Sequence, residues 1–146
     1  MLTFKLSVTT PEGDLFKGDV SQITVNTEMG EITILPNHIP LVSIIQPGEL
    51  LIKQNNQETP LAVYGGFIEI KSNNEVSILA DAGEKVSAID EAKAEAAKIK
   101  AEEILKQKFN TADYEDAALN LQRELTRIKI ARKYKHKGTV INRTTT

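Results

Sequence analysis

The hydrophobic pattern of this chain changes period once, near Ser87, and a period of two and a period near 3.6 cannot be served by one kind of element. Up to about Asp81 the apolar residues alternate: Phe4, Leu6 and Val8, then Ile23 and Val25, Ile32 and Ile34, Ile68 and Ile70, Val76 and Ile78. Turn residues punctuate these runs at Pro11-Glu12-Gly13-Asp14, Met29-Gly30, Pro36-Asn37, Pro47-Gly48, Asn55-Asn56, Gly65-Gly66 and Ser72-Asn73-Asn74. Short strands at this spacing, with no helical period between them, predict an antiparallel β-sandwich or barrel of roughly eight to ten strands over residues 1–86, taken as a sandwich of about ten.

Beyond that point the pattern is helical. Ser87-Ala88-Ile89-Asp90 has the form of an N-cap with an acidic residue three positions on, and from there to about Lys108 the chain contains neither Gly nor Pro. Ala92, Ala94, Ala96, Ala97 and Ala101 let a neighbour approach this helix closely, and Glu102 stands one turn before Lys106. Phe109-Asn110-Thr111 breaks it, and a second helix is predicted from about Ala112 to Lys133, with Tyr114, Ala118, Leu121, Leu125 and Ile128 along one stripe. Residues 87–137 therefore read as an antiparallel two-helix hairpin, and 138–146, without period or apolar content, as a disordered tail. The class is α+β. Because the seam of the hairpin is narrow and mostly alanine, its burial only modestly exceeds the entropy of ordering two helices, and the hairpin should be able to leave the sandwich.

Composition excludes several functions. The 146 residues include no cysteine, which removes disulfide frameworks, thiolate catalysis and cysteine zinc sites and fits a reducing cytosol. Two histidines, His38 and His136, are too few and too far apart in sequence for a metal cluster, so no metal site is expected. No apolar run approaches membrane-spanning length, and any membrane association is expected through a partner rather than by direct insertion. The formal charge of −2 hides an asymmetry: residues 1–86 carry 5 basic against 11 acidic side chains, residues 87–146 carry 13 against 9, and from Arg123 onward the ratio is 8 to 1. Such a split suggests two modules with different partners.

Three constellations compete for a functional role. The segment Gly30 to Leu41 gathers Glu31, His38 and two prolines, but it offers no nucleophile and no phosphate loop, so a contact loop on the rim is a better reading than an enzyme built on Glu31 and His38. Arg123 and Arg127, four apart on one helix face, could converge with Glu84, Asp90 and Lys93 to hold a nucleotide. A solvated or partner-binding basic face is the plainer alternative, with Asp90 simply serving a helix N-terminus. The basic end could in principle meet nucleic acid, but aromatic residues form only 5% of the chain and no stacking platform is visible, so none is expected.

The order of the modules, together with Gly30-Glu31, Leu35-Pro36-Asn37-His38-Ile39-Pro40-Leu41, Pro47-Gly48, Gly65-Gly66-Phe67-Ile68-Glu69 and Leu79-Ala80-Asp81, resembles the epsilon subunits of F-type ATP synthases over about residues 2 to 134. The resemblance implies a non-catalytic central-stalk rotor subunit that couples proton translocation to ATP synthesis and requires no cofactor. It implies a sandwich that binds the gamma subunit and the c-subunit ring, with Glu31 and His38 as the residues of the matching loop. It further implies a hairpin that can extend into the alpha/beta catalytic hexamer and inhibit ATP hydrolysis through Arg123, Arg127, Lys129, Arg132 and Lys133. The location implied is the cytoplasmic face of a bacterial plasma membrane, as a peripheral protein.

Some relatives bind ATP in the folded hairpin through an Ile/Leu-Asp-x-x-Arg-Ala motif and two arginines. Here the corresponding residues are Ile89, Asp90, Lys93, Arg123 and Arg127, with Glu84 beside them in sequence, and ATP as a regulatory ligand is the alternative reading. Lys93 stands where that motif has arginine, keeping the charge but losing the planar two-point grip. The family loop has glycine where Thr33 and Asn37 stand. Asn37 can take a left-handed backbone, whereas the β-branched Thr33 must be extended.

Overall fold

The computed structural model of the chain describes residues 2–106 and 111–144, with side chains described for 2–106 and 114–135. The chain divides into two compact units, Met1–Lys85 and Val86–Thr146.

The first unit is a ten-stranded sheet that curls almost into a barrel. Its strands are β1 (Phe4–Thr10), β2 (Gly13–Val20), β3 (Gln22–Thr27), β4 (Gly30–Ile34), β5 (Leu41–Ile45), β6 (Gly48–Gln54), β7 (Gln57–Val63), β8 (Gly66–Ile70), β9 (Glu75–Ala80) and β10 (Gly83–Lys85). They run in the order β10-β7-β6-β3-β5-β8-β9-β1-β2, with β4 also paired to β3. The expected alternation places the core. Phe4, Leu6, Val8, Ile23, Val25, Ile34, Ile68, Ile70, Val76 and Ile78 all point inward, and Ile32 packs against them half-buried.

One pairing departs from the antiparallel expectation. β1 lies parallel to β9, Leu6 opposite Val76 and Val8 opposite Ile78, a neighbour relation that a hairpin cannot make and that the long intervening chain supplies. The two ends of the sheet approach each other: a Cβ placed on Gly83 of β10 would lie 2.7 Å from Leu15 Cδ1 of β2. From β6, Gln54 Nε2 donates to the Asp19 carbonyl of β2 at 2.8 Å.

The second unit opens with a 3-10 turn, Val86–Ala88, followed by α1 (Glu91–Lys106) and α2 (Thr111–Thr144). Here the sequence reading needs correction. Ser87 is not the N-cap of α1; Asp90 is, its Oδ1 accepting from the Lys93 amide at 3.1 Å and its carbonyl from the Ala94 amide at 3.0 Å. A carboxylate satisfies an orphan amide as well as a hydroxyl does and adds charge complementarity to the helix dipole, so the later site wins. The break expected at Phe109-Asn110 lies outside the described residues. α2 begins at Thr111 and continues to Thr144 rather than ending near Lys133, so residues 138–144, expected as disordered tail, are helical. Gly138 costs a helix interior only about 1 kcal/mol relative to alanine and does not force a stop.

The expected stripe of α2 is buried only in part. Ile128 is buried as expected and Leu121 is half-buried, but Tyr114, Ala118 and Leu125 are exposed, and Ala117 and Glu124 turn inward with Ile128 while α1 buries Ala94 and Ala101. Arg132 ties the two helices at one end of this face: its Nε donates to Glu91 Oε1 at 2.9 Å and its Nη2 to Glu95 Oε1 at 2.6 Å, in the first turns of α1.

Candidate functional site

The residues singled out by sequence are divided between the two units. In the sheet, the hairpin between β3 and β4 is closed by Thr27, whose Oγ1 donates to the Gly30 carbonyl at 2.7 Å and accepts from the Met29 amide at 3.2 Å. This turn leaves Met29 85% exposed at its tip, next to Glu31. Glu31 belongs to strand β4, opposite Asn26, and not to a loop. His38 lies beyond the other end of β4, where the His38 amide donates to the Leu35 carbonyl at 3.3 Å and its Nδ1 to the Ile39 carbonyl at 2.7 Å. Roughly 10 Å of strand separates Glu31 from the start of that turn, so the two residues mark opposite ends of β4 rather than one site.

The turn around His38 is built as its residues require. Asn37 has φ of 63°, the left-handed conformation expected of it, and Thr33 is extended in β4, its Oγ1 3.2 Å from that of Thr24. The Asn37 amide donates to Asn74 Oδ1 at 2.7 Å, and Asn74 Nδ2 donates to the Thr3 carbonyl at 2.8 Å. Thus Asn74, in the turn between β8 and β9, fixes the loop that presents Leu35 and Ile39, which are 53% and 75% exposed.

A feature the sequence reading missed lies on the outer face of the same sheet. Ile44 of β5 stands opposite Phe67 of β8, which stands opposite Leu79 of β9, and all three are exposed; Val42 extends the row along β5. The signal was present in the alternation. Once Ile68, Ile70, Ile78 and Ala80 point inward, Phe67 and Leu79 must point out, and with Ile44 they form a contiguous exposed apolar row across three strands. Close packing of the strands beneath depends on Gly66, whose φ is 129° and at which a Cβ would fall 2.1 Å from the Leu79 carbonyl oxygen.

In the helical unit the basic residues do not form a single face. At about 100° per residue, Arg123 and Arg127 fall within roughly 40° of each other, whereas Lys129, Arg132 and Lys133 lie on the other half of the helix. Arg127 Nη1 donates to Glu124 Oε1 at 2.6 Å, and Arg132 is held by Glu91 and Glu95, with Lys135 Nζ 3.9 Å from Glu91. Hydrogen bonding to Glu91, aided by the charges of Glu95 and Glu91, raises the Arg132 pKa above its usual value. Lys133 Nζ sits 5.5 Å from the centre of the neighbouring Tyr134 ring. Of the residues expected around a nucleotide, Asp90 is occupied as the N-cap, while the exposed Lys93 belongs to the first turn of α1. Glu84 belongs to the sheet unit, where its Oε1 accepts from the Tyr64 hydroxyl at 2.6 Å.

These two units correspond to the two halves of a known family. Residues 3–86 match the model for the ATP synthase Delta/Epsilon chain beta-sandwich domain, and residues 87–132 match that for its long alpha-helix domain. The chain belongs to the ATP synthase delta/epsilon chain family. Within it, the similar relatives are epsilon chains. The ATP synthase epsilon chain of Caldanaerobacter subterraneus is 45% identical over 133 residues, covering 90% of this chain and 96% of that one. The epsilon chain of Bacillus velezensis is 37% identical over 131 residues, covering 90% and 98%. Among solved structures, a chain of the Euglena gracilis mitochondrial ATP synthase shares the fold with a TM-score of 0.75 at 21% identity, over 86% of this chain and 79% of that one.

Proposed function

We propose that this chain is a non-catalytic rotor subunit of the central stalk of a proton-translocating ATP synthase. In this reading the sheet unit docks on the gamma subunit and the c-subunit ring, coupling proton flow to ATP synthesis, and the helical unit restrains ATP hydrolysis by engaging the alpha/beta hexamer. The observation that carries it is the pairing of an outward apolar row, Ile44-Phe67-Leu79, on one unit with a basic, alanine-seamed helix hairpin as the other. The first suits a permanent partner and the second a conditional one. Glu31 and His38, at the two ends of β4, are proposed as separate contacts with the ring or gamma subunit. Among the described residues no helix is long and apolar enough to cross a membrane, and attachment to the cytoplasmic face of a bacterial membrane would come through the c ring.

The test is truncation after Val86 in the assembled enzyme. Assembly should persist and ATP hydrolysis should rise; hydrolysis equal to that of the full-length complex would remove the inhibitory half of the proposal.

A second reading, ATP as a regulatory ligand of the helical unit, is favoured by Arg123 and Arg127 sharing one side of α2 and by Asp90 and Lys93 at the N-terminal end of α1. By mass action ATP would stabilise the closed hairpin. Titration of the full-length chain with ATP, followed by the amide shifts of Lys93, Arg123 and Arg127, tests it; a flat response at millimolar ATP ends it.

A further inference from the structure

The face of α2 that packs on α1 contains one residue out of keeping with the rest. Ala117 and Ile128 are buried there opposite Ala94 and Ala101, and between them lies Glu124, only 7% exposed. Its Oε1 accepts a charge-assisted hydrogen bond from Arg127. Its Oε2 is enclosed and accepts no hydrogen bond. The partners are unequally placed, since the Arg127 side chain keeps 29% of its exposure and part of its hydration while the Glu124 side chain keeps 9%.

A carboxylate withdrawn from water and paired on one oxygen alone recovers only part of its lost hydration, and the unpartnered oxygen carries its desolvation cost in full. When α2 is apart from α1 the same carboxylate is hydrated at both oxygens. The cost therefore falls on the closed hairpin and not on the separated helices. The small side chains of Ala94, Ala101 and Ala117 supply little apolar burial against it, and Ile128 adds one larger side chain.

We propose that Glu124 is the residue that limits the stability of the closed hairpin, a built-in bias toward separation of α1 and α2. Arg127 moderates the bias by holding one oxygen. An apolar side chain of similar length at this position removes the desolvation cost and keeps the packing. The bias places the hairpin near balance, so that modest differential binding by a partner can shift it.

The measurement is amide hydrogen exchange of the full-length chain, with the core strands of the sheet unit as internal reference. Glu124→Met should slow exchange in α1 and in α2 near residue 124 by roughly tenfold. Glu124→Gln, which keeps the shape and removes the charge, should slow it by less. Arg127→Met should speed exchange, and the Glu124→Met/Arg127→Met pair should return close to Glu124→Met alone. Unchanged or faster exchange in both Glu124 variants, with the reference strands unaltered, would overturn the proposal. The regulatory consequence rests on the reading that the opened hairpin restrains hydrolysis. Glu124→Met in the assembled synthase should then raise ATP hydrolysis. Slower exchange without that rise would leave the role of Glu124 standing and remove the regulatory reading instead.

Discussion

Asn74 accepts a hydrogen bond from the Asn37 amide at 2.7 Å across 37 residues of sequence, and both residues hold left-handed backbones, with φ of 62° and 63°. The second hydrogen bond of Asn74, to the Thr3 carbonyl, ties the same turn to the start of β1. One side chain thereby connects the loop carrying His38, the β8–β9 turn and the N-terminal strand. Asn74→Ala loses both hydrogen bonds and strains a left-handed position, and should cost about 2 kcal/mol of stability. Asn74→Gly relieves the strain but not the lost bonds, and Asn74→Asp retains only the acceptor. Thermal denaturation should rank them wild type, Asp, Gly, Ala, and an Ala variant as stable as wild type would contradict the assignment.

Gly66 predicts a sharper loss. At φ of 129° an L side chain is already disfavoured, and a methyl group there would overlap the backbone of Leu79, which cannot give way as a flexible side chain could. Gly66→Ala should cost about 3 kcal/mol or more by forcing β8 from β9. Gly13→Ala is a useful comparison, since its φ is 135° but nothing lies within 4 Å, leaving conformational strain alone. Chemical denaturation of the two variants separates the terms.

Most of the sheet was legible because each strand buries one face: Phe4, Leu6 and Val8 or Ile23 and Val25 announce both the element and the side that points inward. The parallel partnership of β1 with β9 was not, since alternation fixes which face is buried and says nothing about which strand lies alongside. In the helices the same limit appears differently. Leu125 and Tyr114 read as core by hydrophobicity, yet the face that packs is the one carrying the small Ala117 opposite a helix that buries Ala94 and Ala101, and hydrophobicity alone does not reveal which face allows the closest approach. Glu124 was invisible as a seam residue for the same reason. The separation of Glu31 from His38 follows from β4 being a strand up to Ile34, which the run Glu31-Ile32-Thr33-Ile34 already suggested by its alternation.

A pH prediction attaches to Asp14. A hydrogen bond from Lys17, then one from Thr9 at 3.1 Å, then the charge of Lys17 at 3.1 Å hold its carboxyl below the usual aspartate range. A carboxyl whose folded pKa is depressed contributes stability that is fully present above its unfolded pKa and is lost as pH falls through the folded one. Because both side chains are exposed the contribution is small. Carboxyl chemical shifts should show Asp14 titrating below the usual range in wild type, moving upward in Lys17→Met and by a smaller amount in Thr9→Val. An Asp14 that titrates identically in wild type and Lys17→Met would refute the pairing.

Arg132 offers the corresponding prediction in the helical unit. Its planar guanidinium reaches Glu91 and Glu95 at once, one turn apart on α1, a geometry that a lysine ammonium cannot reproduce at both sites. These are surface ion pairs, and their effect should be confined to the end of the hairpin where they act and should weaken with salt. Arg132→Lys should speed amide exchange in the first turns of α1 severalfold at low ionic strength, with Arg132→Ala exceeding it. At 1 M salt, where the screening length falls to about 3 Å, all three proteins should converge. Ile128 lies one turn from Arg132, and if the pairs help set the rotation of α2 at this end, Arg132→Ala should raise the exposure of Ile128 while lowering that of Leu125, a change read from side-chain solvent-relaxation rates. Exposures that stay fixed in Arg132→Ala would show that the alanine seam alone sets the rotation.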